Sequence, residues 1–207
     1  MSPATTAPPD DELVELGLSA ARRFTRDEYY KLLDAGFFAE GDPIELVEGY
    51  ILEKEVRKPP HETTLRRLTN RVPRYIPGSG WCVQIQGAIS LPMDNEPEPD
   101  GVVLRGADSD YDGRIPGAAD VVLAIEVSDS SRSIDRRVKG RAYARAGIPV
   151  YWLINVADRV FEVYTDPDPA ATPPAYRTRT DYRPGQDVPV VLDRQTVATI
   201  PVADLLP

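Results

Sequence analysis

The chain has 207 residues, 42% of them apolar and 28% charged, an ordinary globular composition that can fill one α/β or α+β core. Its net charge of −9 and pI of about 4.7 argue against a protein that coats nucleic acid electrostatically. A single cysteine, Cys82, excludes an intramolecular disulfide, and no run approaches the roughly 18 apolar residues of a membrane helix, so a soluble, cytoplasmic protein is expected.

The charge is unevenly placed. Residues 1–56 hold thirteen acids and five bases, residues 57–77 six bases and one acid, and residues 129–147 six bases and two acids. An acidic protein of this kind can still present a local basic surface. Residues 1–20 carry acids, Pro, Ala and Thr, with no basic residue and no signal-peptide core. They read as a disordered tail, and residues 21–207 read as a single domain.

Thr25, Arg26, Asp27 and Glu28 form a capping-box pattern that predicts a helix to about Ala35, stopped at Gly36. Ile44 to Val47 and Tyr50 to Glu53, parted by Glu48 and Gly49, predict a β-hairpin. A second helix is expected after Pro59 and Pro60, with His61, Leu65, Leu68 and Val72 on one face. Its arginines Arg66, Arg67, Arg71 and Arg74 fall largely elsewhere. Strands are predicted over 81–91 and 100–104. The stretch 121–127 is almost continuously apolar, as a central strand buried on both faces would be. A helix over 132–146 ends at Gly147, and a strand over 150–156 turns through Asp158 and Arg159 into another over 160–164. Short strands near 176–182 and 188–192 precede a C-terminal segment, and no internal repeat is present.

Two carboxylates stand out. Asp100 follows Pro99 at the start of a strand, and Glu126 lies within the apolar strand. A charged, unpaired carboxylate there costs several kcal/mol, so something must compensate for it. A divalent cation shared with Asp100 is one solution; an arginine partner or an exposed strand end is another. At about 100° per residue, Asp135, Val138, Lys139, Ala142 and Ala146 share one stripe of the next helix, with Arg136, Arg137, Arg141 and Ala144 turned away. An exposed pair of Asp135 with Lys139 would explain their spacing, but not their place on the apolar stripe. A lysine near a metal-bound phosphate could orient the attacking water or stabilise developing charge. His61, the only histidine, reads more readily as a packed or capping residue than as a catalytic base. One histidine and one cysteine make no zinc site, and the alternating Asp108, Asp110 and Asp112 read as a solvated loop.

These pieces occur in an order that resembles a bacterial restriction endonuclease family of the PD-(D/E)XK nuclease superfamily, numerous in cyanobacteria and actinobacteria. The pieces are Pro99-Asp100, Glu126-Val127-Ser128, Asp135-Arg136 with Lys139 and Tyr143, Ala146 to Pro149, and Tyr151-Trp152. Phe24 to Tyr29, Glu45 to Gly49 and His61 match the family's N-terminal half, so the resemblance spans about residues 22 to 165. It implies an α/β, restriction-endonuclease-like core with a mixed central sheet flanked by helices. It also implies metal ligation by Asp100 and Glu126, joined by the carbonyl of Val127. The superfamily's usual lysine position, two residues after the second acid, is Ser128 here, and Lys139 matches the family's displaced lysine. Glu48 resembles an additional acid that some members contribute, although it reads equally as a turn residue before Gly49. Val150 and Asn155 replace acids often seen around the Tyr-Trp pair. The implied activity is Mg²⁺-dependent hydrolysis of DNA phosphodiesters (Mn²⁺ as a substitute), catalysed by Asp100, Glu126 and Lys139; a homodimer is expected because one site per chain must meet two strands. Arg66, Arg67, Arg136 and Arg137 are candidates for phosphate contacts, although any one of them reads more readily as part of an ordinary solvated helix face. A catalytically silent binding module on the same fold is the alternative.

Overall fold

The structure, a computed structural model, describes residues 22–39, 41–54, 58–129 and 134–206. The tail expected over 1–20 lies outside the described residues. Helix α1 (Arg26–Asp34) starts at the predicted capping box: the Glu28 N–H donates to the Thr25 hydroxyl at 3.2 Å and the Thr25 N–H to the Glu28 carboxylate at 3.1 Å. Strands β1 (Ile44–Val47) and β2 (Tyr50–Glu53) form the predicted hairpin. Glu48 and Gly49 turn it with φ of 54° and 78°, the positive pair that a tight two-residue hairpin needs. Helix α2 (Pro59–Arg71) opens on two prolines, whose missing N–H groups would have no helical partner there. It buries Thr64, Leu65 and Leu68 and passes into a 3-10 turn, Val72–Tyr75.

Six strands make the central sheet, in spatial order β3 (Trp81–Ile85), β4 (Gly101–Arg105), β5 (Val121–Ser128), β6 (Val150–Asn155), β7 (Val160–Asp168) and β8 (Ala175–Tyr182). All neighbours are antiparallel except β5 and β6, so the sheet is mixed, as the resemblance implies. A parallel pair needs a crossover long enough to pass over the sheet. Residues 129–149 are that crossover, which is why a helix lies over the end of β5.

Every residue of β5 is buried, as expected of a strand covered on both faces. One face packs Val103, Leu123, Ile125, Val127, Trp152, Ile154 and Phe161 against α2 and a C-terminal cap. The cap is the hairpin of β9 (Asp187–Leu192) with β10 (Gln195–Pro201), followed by helix α4 (Val202–Leu205). The other face packs Ala124, Tyr151 and Leu153 beneath the crossover, with Tyr143 and Ile148 above them. No helix among the described residues is long and apolar enough to cross a membrane.

Two expectations need correction. Strand β3 stops at Ile85, not at residue 91, because Gln86 takes a φ of 51° and breaks the pleat. Ser90 and Leu91 keep only isolated bridges, to Gly117 and Asn95. The crossover helix is also not uniformly α. Its described part begins as a π-helical segment, Ile134–Lys139, and becomes helix α3 (Gly140–Arg145). The wider turn shifts the helical phase, so Ala144, expected to face outward, is fully buried. The widened turn also presents the Asp135 carbonyl to the Tyr151 hydroxyl, which donates to it at 3.1 Å.

Candidate active site

Alternation along β5 sends Ala124, Glu126 and Ser128 toward the crossover and Ile125 and Val127 to the opposite face. Glu126 is 3% exposed and Lys139 is 5% exposed, so water cannot solvate either charge well. The Lys139 ammonium donates to Glu126 Oε1 at 3.0 Å, and the Tyr143 hydroxyl donates to the same oxygen at 2.6 Å. A second carboxylate reaches the same ammonium: Glu45 Oε1, on β1, stands 2.9 Å from Lys139 Nζ. Removing the ammonium would leave both buried carboxylates without their shared cation, at a cost of about 3–5 kcal/mol.

Asp100 immediately precedes β4. Gly101 pairs with Ile125, so Asp100 sits beside the Glu126 end of β5. Its Oδ2 accepts the Val127 N–H at 2.8 Å, which ties the carboxylate to the neighbouring strand. His61, from the first turn of α2, brings Nε2 to 3.7 Å from the same oxygen, too far for a hydrogen bond. Its Nδ1 is buried with no hydrogen-bond partner among the described residues.

The fold thus gathers Asp100, Glu126, Val127 and Lys139 from three separate stretches of chain. Glu48 is placed differently. Its carboxylate is paired with Arg145, and its N–H donates to Asn95 Oδ1 at 2.6 Å. The acid that the hairpin sends to Lys139 is Glu45, which sequence reasoning passed over. Its signal was an acid between Ile44 and Leu46, in a hairpin whose first strand is mostly buried. Tyr143 was visible only as part of a motif; its role follows from lying one helical turn beyond Lys139.

Of the four arginines considered for phosphate contacts, two are committed inside the protein. Arg136 Nε donates to Glu162 Oε2 at 2.9 Å, and Arg67 donates to the Leu206 carbonyl. The side chains of Arg66 and Arg137 are exposed, and Arg137 too has an interaction partner. Asp110 caps its own loop by accepting the Ala107 N–H at 2.9 Å, consistent with a structural turn.

Burial pushes the Glu126 carboxyl up to about 8, with Lys139 partly offsetting it and Asp100, Asp135 and Glu45 adding to it. Burial works against the Lys139 ammonium, but Glu126, Glu45 and Asp135 outweigh that cost and hold its pKa above the ordinary lysine value. The consistent charge state is an ammonium paired with Glu45, beside a Glu126 that takes up a proton near neutral pH. Two carboxylates at adjacent strand ends, one of them desolvated, are a donor set suited to a hard divalent cation. Among the described residues, however, no three His, Cys, Asp or Glu side chains converge on one point, so this fit extends to two side-chain ligands.

At Glu126 the folded state holds a proton that the unfolded chain releases near the ordinary glutamate value of 4.5, so stability falls as pH rises between about 4.5 and about 8. In metal-free protein, Glu126→Gln should raise the melting temperature at pH 8.5 and should change it little at pH 5. An equal melting temperature at pH 8.5, or a gain that grows toward acid, would contradict this assignment.

Residues 26–196 match the family described as "Uma2: Putative restriction endonuclease". No match was found among curated proteins. Among solved structures, the chain is similar to a protein described as a putative nuclease belonging to DUF820 from Anabaena variabilis. The TM-score is 0.61 at 18% identity, over 88% of this chain and 97% of that one, a likeness of fold. The family match covers most of the sequence and includes every residue of the cluster built above, so the chain belongs to the Uma2 restriction endonuclease family.

Proposed function

We propose that the chain is a metal-dependent endonuclease that hydrolyses DNA phosphodiester bonds, with Mg²⁺ as its ion and Mn²⁺ as a substitute. The observation that carries this reading is the buried contact of Lys139 with Glu126 beside Asp100. Membership of a restriction endonuclease family supports it. Asp100 and Glu126 would hold the ion together with the carbonyl of Val127. When bound, the ion would lower the pKa of a coordinated water and neutralise the leaving oxyanion. Glu48 could join them only by leaving Arg145, so the reading rests on the other three.

The chain's own groups have distinct tasks. The Val127 N–H orients the Asp100 carboxylate from the neighbouring strand. Lys139 supplies a fixed positive charge on a buried stem, where a phosphate oxygen feels it more strongly than it would in water. Tyr143 holds Glu126 from the helix side. The exposed Arg66 is the best placed of the candidate phosphate contacts, on the basic stretch 57–77. The reading locates the protein in the cytoplasm, in keeping with its single cysteine.

A second reading is a silent nuclease-fold module that binds nucleic acid or protein. The net charge of −9 and the engagement of Lys139 by two carboxylates favour it. One experiment separates the two. Calorimetry should detect Mn²⁺ binding that Asp100→Ala and Glu126→Ala each remove. Lys139→Met should keep that binding and lose about 100-fold or more of its DNA cleavage, because the ammonium acts on phosphate and is not a ligand. Wild type that cleaves neither DNA nor RNA with any divalent metal tested would move the module ahead.

Cutting both strands with one site per chain is simplest in a twofold dimer. Light scattering at micromolar concentration, with and without a short duplex, should therefore show a dimer. A monomer under both conditions would leave single-strand nicking as the activity.

A further inference from the structure

We propose that Glu45 is a positioning residue of the nuclease site: one carboxylate oxygen holds the Lys139 ammonium while the other holds the chain that leads into Asp100. The proposal rests on the nuclease reading. Glu45 Oε1 lies 2.9 Å from Lys139 Nζ, and Glu45 Oε2 accepts the Glu98 N–H at 3.0 Å. Glu98 is two residues before Asp100, so this carboxylate spans the two halves of the site.

Its platform is tied down at several points. The Glu96 N–H donates to the Leu46 carbonyl at 2.7 Å, and the Leu46 N–H returns to the Glu96 carbonyl at 3.4 Å. Lys54, just beyond β2, donates to the Glu98 carboxylate at 2.6 Å and to the Glu98 carbonyl at 3.1 Å. The hairpin therefore moves with the segment 96–98, and Glu45 carries that registration to Lys139.

The need for a second anchor follows from the geometry. Lys139 is held by Glu126 and Glu45. A cation on Glu126 competes with the ammonium for that carboxylate. Glu45 then remains the hydrogen-bonded anchor that aims Lys139 at the site, with the charge of the buried Asp135 nearby, whereas without that bond the long side chain regains rotamers. A reacting group displaced by about 1 Å can lose about 100-fold in rate.

The test is steady-state cleavage of a DNA duplex by the full chain, paired with Mn²⁺ calorimetry and lysine-ammonium NMR. Glu45→Gln should lower kcat about 100-fold while KM and the Mn²⁺ Kd stay within about threefold of wild type. Glu45→Asp retains the charge on a shorter stem and should recover part of the loss, which also covers a Glu45→Gln that folds poorly. In the Mg²⁺-loaded protein, a slowly exchanging ammonium signal, assigned by its loss in Lys139→Met, should disappear in Glu45→Gln. An unchanged kcat, an ammonium signal that persists in Glu45→Gln, or a kcat loss matched by an equal loss of Mn²⁺ binding overturns the proposal. Failure of the underlying reading shows itself separately: wild type then neither binds Mn²⁺ nor cleaves, and Glu45 becomes a structural link only.

Discussion

A carboxylate on the central strand of a sheet covered on both faces must be met by charge, and much of this molecule is arranged around that requirement. Among the described strands of the central sheet, Glu126 sits in the one parallel pair, so the chain crosses over the sheet directly above it. The crossover delivers Lys139 and Tyr143 to one oxygen of the carboxylate. The N-terminal hairpin, far away in sequence, supplies a second acid for the same lysine.

A second buried acid shows what a purely structural solution looks like. Glu162 on β7 lies in the same cross-strand row as Glu126, separated by Leu153, and is fully buried. Burial alone would push its pKa up, but Arg136, Tyr164 and Asn155 outweigh that and hold it below the ordinary glutamate value. The guanidinium fork matches the carboxylate and keeps it ionised. Glu126 has an ammonium shared with another acid and a phenol, and it is left close to protonation at neutral pH. Of two acids in one row, the one poised between states is the candidate for chemistry. The other fastens the π-helical segment to the sheet and so holds Lys139 in register.

Much of this was legible in sequence because the signals are local. The capping box at Thr25 and Glu28, the Glu48-Gly49 turn and the apolar run of β5 each dictate backbone geometry within a few residues. Glu126 and Lys139 drew attention because ionisable groups in apolar stretches demand an explanation, and Asp100 because it follows Pro99 at the start of a strand. The failures are of two physical kinds. The π-helical turn at Ile134–Lys139 has no sequence signature that a 3.6-residue period can detect, so Ala144 was placed on the wrong side. Glu45, the Glu162 cluster and the Gln86 break depend on which distant segments meet, and periodicity carries no information about that. Arg136 was misread for the same reason, since a basic residue on a helix looks solvated until its buried partner is known.

On the proposed reading, Asp100 and Glu126 form a cation site and Lys139 stands beside it without ligating. Crystals soaked in Mn²⁺ and measured for anomalous scattering test this most directly. The predicted result is a peak at about 2.0–2.3 Å from carboxylate oxygens of Asp100 and Glu126, with the Val127 carbonyl as a further ligand and Lys139 still held by Glu45. A peak held by other residues, or ordered protein that shows none at these carboxylates, would contradict it.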